Sequence, residues 1–90
     1  MAALDLLGRR GALRILWELR DGRALSFRAL AAACGLPPGT LNSRIKELRL
    51  AGVVEAEGSY RLTGLGTALL AALSPLVLWS EAWAKALEKP

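Results

Sequence analysis

The chain has 90 residues, 53% hydrophobic and 22% charged, with 12 Lys and Arg against 8 Asp and Glu for a formal net charge of +4. That length makes one small domain, and the hydrophobic share excludes a disordered low-complexity polymer. There is no His and a single Cys, Cys34, so no disulfide framework, Cys/His metal site or Ser-His-Asp chemistry has residues to work with; the chain is expected to be no enzyme and to need no cofactor.

The first apolar piece, Ala2–Leu7, stops at Gly8. Leu13, Leu16, Trp17 and Leu19 fall near helical spacing and predict a helix over residues 9–20 with those side chains inward and Arg14, Glu18 and Arg20 outside. Asp21-Gly22 supplies its stop. Ser26 is placed to cap a helix over residues 27–34, with Phe27, Leu30 and Ala31 inward and Gly35 as the turn glycine behind it. Pro37-Pro38 opens the next helix, residues 38–51, because proline at the first helical position gives up an N–H that would be unpaired there anyway. Along it Leu41, Ile45 and Leu48 form one narrow stripe; Ser43 and Lys46 point away, and Asn42 lies on the flank.

Residues 53–57 and 59–63 read as two short strands turned at Gly58. Thr63 is placed to cap a helix over residues 64–73. Ser74-Pro75 marks a second helix start or a kink, and Leu76, Val77, Trp79 and Trp83 stripe a last helix that ends in Lys85, Glu88 and Lys89. Residues 62–80 are free of charge and reach the length of a membrane span. Gly64, Gly66, Pro75 and four hydroxyl residues interrupt that stretch, and no Lys/Arg cluster flanks it, so no membrane partner is expected. Asp5, Arg9 and Arg10 do not make a secretory pattern, which points to a cytoplasmic location.

A helix, a short turn through Gly35 and a second helix with a core stripe and a polar outer face form the helix-turn-helix pattern. The glycine-turned hairpin behind it completes a winged helix. The expected fold is therefore mainly α (α+β): a single winged-helix domain over residues 1–90, with the helix-turn-helix at 26–51, a short β-hairpin wing at 53–63 and C-terminal dimerisation helices at 64–89. The charge follows this division. Residues 1–53 hold nine Lys and Arg against four Asp and Glu, whereas residues 54–90 hold three against four. A basic half beside an apolar half suggests one part that faces a polyanion and one that packs.

The run from Gly35 to Leu48, followed by Ala51-Gly52-Val53-Val54, resembles the recognition segment of MarR-superfamily regulators. Tyr60-Arg61-Leu62-Thr63, with Gly66 three residues on, resembles the YxLTxxG stretch of the HxlR branch; Phe27 and Leu30 fit that branch's "RFxEL" helix, and Ile15-Leu16 its "IL". The resemblance covers residues 9–79 and implies a dimeric bacterial or archaeal transcription regulator whose terminal helices pair two chains on double-stranded DNA. The chain departs from the pattern in four places. Gly11 stands where the branch has the tryptophan of "GKW", the N-terminal cysteine is missing, the hairpin is shorter and carries Glu55 and Glu57, and Pro37 replaces the capping serine.

Within that pattern Asn42, Ser43 and Lys46 are the candidate base contacts, since Asn pairs with adenine and Lys reaches guanine acceptors. Arg28, Thr40, Arg44 and Arg49 are the candidate phosphate contacts. Taken singly, all of these also suit an ordinary solvated helix face. Glu47 would repel phosphate and is expected to pair with a neighbouring cation, and Cys34 to behave as a small buried hydrophobe. Leu4, Leu7, Leu76, Val77, Trp79 and Trp83 exceed what a thin monomer core covers and are the candidate homodimer seam. No room is left for a separate ligand domain, so a small apolar effector, if one acts, would sit at the dimer interface. The competing function is a winged-helix module that binds protein, in the manner of an antirepressor; the short acidic hairpin favours it and the basic recognition helix disfavours it.

Overall fold

Glycine and proline set the element boundaries. The computed structural model describes residues 1–88, with α1 (Ala2–Leu7), α2 (Ala12–Glu18), α3 (Phe27–Cys34), α4 (Pro38–Leu50), β1 (Val54–Glu57), β2 (Ser59–Leu62) and α5 (Gly64–Glu88) in order. The second helix is shorter than the predicted 9–20 because Gly11 holds φ +85, a left-handed conformation that no continuing helix allows. A side chain there would also strike Leu36, whose Cδ1 lies 2.5 Å from where a Cβ would stand.

The face that α2 turns to the core is Ala12, Ile15, Leu16 and Leu19. Leu13 and Trp17, expected inward, are 40% and 38% exposed, and Glu18, expected outward, is buried. The i, i+3, i+4, i+7 stripe accounts for this: taking Ile15 and Leu16 as its centre moves Leu13 and Trp17 onto the adjoining face, toward α5. α3 and α4 follow expectation. Ser26 Oγ accepts the Ala29 N–H at 3.1 Å, Gly35 turns the chain at φ +64, and Leu30, Leu41, Ile45 and Leu48 are buried.

The hairpin is antiparallel and pairs Val54 with Leu62 through Glu57 with Ser59, so that Gly58 alone makes the turn. Leu25 adds a rung absent from the sequence expectation. It exchanges backbone hydrogen bonds with Tyr60 at 3.0 and 2.8 Å, and thereby ties the segment before α3 to the wing.

The C-terminal segment is one helix and not two. Pro75 costs α5 a backbone hydrogen bond but does not divide it. Lys89, expected at its end, lies outside the described residues. The helix starts on a tight junction. Thr63 Oγ1 accepts the Gly66 N–H at 3.0 Å and donates to the Gly52 carbonyl at 2.6 Å, while Thr63 N–H donates to the Val53 carbonyl at 3.1 Å. Gly66 is buried on that same Val53 carbonyl, so a Cβ at position 66 would collide with backbone. From there Leu69, Leu70 and Leu73 pack against the core, and the remainder of α5 leaves it, giving the molecule extents of 47 × 25 × 25 Å. By length and composition alone α5 would suffice to cross a membrane; its first half is instead an integral part of the winged domain.

Gly66→Ala should overpack this junction and lower unfolding free energy by at least 1–3 kcal/mol, roughly the range for such insertions, measured by urea denaturation with an unchanged m-value.

Candidate nucleic-acid interface

Because α4 buries only one stripe, the rest of its circumference is free. Asn42, Ser43, Lys46 and Arg49 are exposed on it. The Ser43 hydroxyl donates to the Gly39 carbonyl at 3.1 Å, so toward solvent it offers an acceptor. Lys46 and Arg49 line a groove of about 590 Å³ between the C-terminal half of α4 and β1, faced by Glu55 and Glu57. Arg28 is exposed on α3, and Thr40 is half-buried near the start of α4. Among the described residues neither Arg28, Lys46 nor Arg49 has a carboxylate within ion-pair distance.

Arg44 differs from the expectation of a free phosphate contact. Its side chain is 16% exposed, with Nε 3.3 Å from Glu47 Oε2. Arg9 reaches the other oxygen of the same carboxylate at 3.3 Å. Arg44 Nε and Glu47 Oε1 are shielded from water and aligned for no hydrogen bond, so charge holds the cluster together. Glu47 thus has cationic partners, as expected. Arg9 was not foreseen: it stands 38 positions before Glu47 in the chain, and nothing local to either residue signals the pair.

The wing is electrically different from α4. Its single arginine, Arg61, faces its cross-strand neighbour Glu55 at 3.9 Å, and Glu57 stands exposed beside the turn. A third acid, Glu18, is buried between Arg14 at 2.9 Å and Arg23 at 3.8 Å, and Arg14 also donates to the Ala33 carbonyl at 3.2 Å, joining α2 to the end of α3.

Of the candidate seam residues, Leu4, Leu76, Trp79 and Trp83 are exposed, and the two indoles stack with centroids 5.4 Å apart and planes at 15°. Leu7 packs instead on the domain core. Val77 is half-buried in an apolar cleft of about 440 Å³ between α2 and α5, where Leu13, Trp17, Leu70 and Leu73 also stand.

Residues 12–55 match the family model for winged helix-turn-helix DNA-binding domains. The chain is 32% identical over 89 residues to YvaP of Bacillus subtilis, an HTH-type transcriptional regulator, covering 90% of this chain and 82% of that one. Among solved structures it is similar to a possible HxlR family transcriptional factor from Thermoplasma volcanium, with TM-score 0.84, 27% identity and coverage of 94% and 84%. It is also similar to a MarR family protein of Mycobacterium tuberculosis in complex with DNA, with TM-score 0.77, 28% identity and coverage of 98% and 71%.

Cys34 closes α3 beside the Glu18 cluster. Burial pushes its thiol above the ordinary value of 9.0, Glu18 raises it further, and Arg14 offsets part of the rise. The thiol is therefore neutral at physiological pH and a poor nucleophile. Iodoacetamide should modify folded Cys34 more slowly at pH 7.5 than the urea-unfolded chain, with half-maximal reactivity above pH 9.0. Because the folded state holds this proton more tightly, the stability it contributes is complete below pH 9.0 and lost as pH rises through the folded pKa. Cys34→Ser should remove that alkaline loss from the denaturation profile.

Proposed function

This chain belongs to the winged helix-turn-helix transcriptional regulators of the HxlR and MarR type, and from that premise we propose that it acts as a homodimer on double-stranded DNA with α4 as its recognition helix. The family binds DNA and is not enzymatic. The observation that carries the proposal is the exposed side of α4, where Lys46 and Arg49 stand with Asn42 and the acceptor of Ser43 and, among the described residues, have no carboxylate within ion-pair distance; Arg28 is likewise exposed on α3. In the major groove Asn42, Ser43 and Lys46 would meet base edges. Arg28, Thr40 and Arg49 would meet phosphates and set the register. Arg44 contributes through its Glu47 cluster. The wing has a subordinate part, since Glu57 carries the sign of phosphate and Arg61 is already neutralised.

Dimerisation is supported by α5. Its distal half presents Leu76, Trp79, Trp83 and Leu87 to solvent, a larger apolar surface than soluble monomers usually keep. Two-fold pairing through α1 and α5 would cover it and bring two α4 helices to half-sites about one DNA turn apart. Glu81, Lys85 and Glu88, together with the packed first half of α5, favour this over a membrane span. A DNA partner would fit a cytoplasmic location. The apolar cleft between α2 and α5 is where a small apolar effector would fit.

Gel-shift titration across salt tests the DNA reading. With roughly six phosphates engaged, log K should fall against log salt with a slope near −5. Lys46→Ala and Asn42→Ala should each cost about 1–3 kcal/mol at a selected site and relax its sequence preference. No binding at about 50 mM salt, where phosphate contacts are strongest, would leave the protein-binding module as the surviving reading. For the dimer, Trp83→Lys should place an unpaired charge in the seam and weaken association by about 3 kcal/mol or more. Sedimentation at micromolar concentration should show a dimer for the unmutated chain and a monomer for this variant.

A further inference from the structure

We propose that Glu47 is a positioning residue that couples the N-terminal segment to the recognition helix, holding α4 at the orientation set by the dimer. The proposal rests on the dimeric DNA-binding reading above. Glu47 is the sole acid on α4. On electrostatic grounds it is unfavourable in a helix that meets a polyanion. Its carboxylate does not face solvent alone; it stands between Arg44 of its own helix and Arg9 of the α1–α2 turn, 3.3 Å from each. Among the described residues, Arg9–Glu47 is the one ion pair between that turn and α4.

A second contact locks the same turn to the same motif. Gly11 leaves room for Leu36, the buried residue between α3 and α4, and any side chain at position 11 would meet it. The turn is therefore fixed to the helix-turn-helix at two points, one apolar and one ionic. α1 ends at Leu7, directly before this turn. Its inner side chains Leu6 and Leu7 pack on the core, while Leu4 remains free for a partner chain. A shift of α1 on pairing thus reaches α4 through Arg9 and Glu47 without passing through α3.

The experiment turns on a sign. If Glu47 merely sits near phosphate, Glu47→Gln removes a repulsive charge and should tighten DNA binding on every probe. Coupling predicts loss, confined to DNA that engages both subunits. The probes are a two-half-site duplex selected by the unmutated protein from a random-sequence library, the same duplex with one half-site scrambled, and a version with half a helical turn inserted between half-sites. Glu47→Gln in the full chain should lose about fivefold or more on the intact duplex, stay within about twofold on the single half-site, and discriminate less against the inserted spacing. Arg9→Gln should do the same, and the double variant no worse than either alone. Thermal melts accompany each variant. Tighter binding by Glu47→Gln, or an equal loss on both probes, would overturn the proposal. Should Glu47→Gln fail to fold, Arg9→Gln, whose side chain is largely exposed, decides the matter by the same comparison. An unmutated chain that is monomeric or binds no duplex would instead overturn the function proposed above.

Discussion

Thr63, through its hydroxyl and its backbone N–H, holds α4, the hairpin and α5 together. It bridges the Gly52 carbonyl, just past the end of α4, and the Gly66 N–H in the first turn of α5. The backbone of Thr63 meanwhile donates to Val53 at the start of the hairpin. One residue therefore fixes α4, the hairpin and the long C-terminal helix relative to one another. Gly66 makes the arrangement possible by letting α5 rest on the Val53 carbonyl. The YxLTxxG pattern acquires a physical meaning here. Tyr60 pairs with the Leu25 backbone and meets the Phe27 ring edge-on at 6.5 Å, Leu62 faces Val54 across the hairpin, Thr63 bridges, and Gly66 provides clearance.

Electrostatics divides the surface by a rule that the net charge of +4 does not reveal. Glu18, Glu47 and Glu55 each have an arginine beside them. Such pairs, where exposed, add little to stability. Their larger effect is subtractive: they remove Arg9, Arg14, Arg44 and Arg61 from the pool of free cations. Among the described residues Arg10, Arg28, Lys46 and Arg49 have no carboxylate within ion-pair distance, and Lys46 and Arg49 lie on the exposed side of α4. Lys46 and Arg49 thus keep their charge on α4, whereas the wing is neutral to acidic.

Packing explains the proportions. The buried apolar side chains come from α2, α3, α4, the turn between α3 and α4, and the start of the hairpin; α1 and α5 contribute half-buried ones at the margin. A core of this size is already closed by the first half of α5. In the second half Val77 still meets α2, while the stacked Trp79 and Trp83 stand exposed.

Local chemistry was sufficient for the helix-turn-helix and the hairpin. Ser26, Gly35 and Pro38 punctuate short segments whose hydrogen bonds close within a few residues, so α3, α4 and the Gly58 turn were legible from spacing alone. The Leu41, Ile45 and Leu48 stripe also determined which side of α4 would be left for a partner. Helix phase was less secure in α2, where apolar Leu13 and Trp17 compete with Ile15 and Leu16, and periodicity does not say which face meets the larger neighbour. The continuity of α5 through Pro75, the Leu25–Tyr60 rung and the Arg9–Glu47 pair lay beyond local rules. Each depends on groups far apart in the chain, whose meeting is decided by how the stripes pack. The sequence by itself determined the helix-turn-helix, the hairpin turn and the polar outer face of α4; only the tertiary structure decided which of the charges on that face are paired, because the counter-charge that neutralises an arginine arrives through space and leaves no mark on its neighbours in the chain.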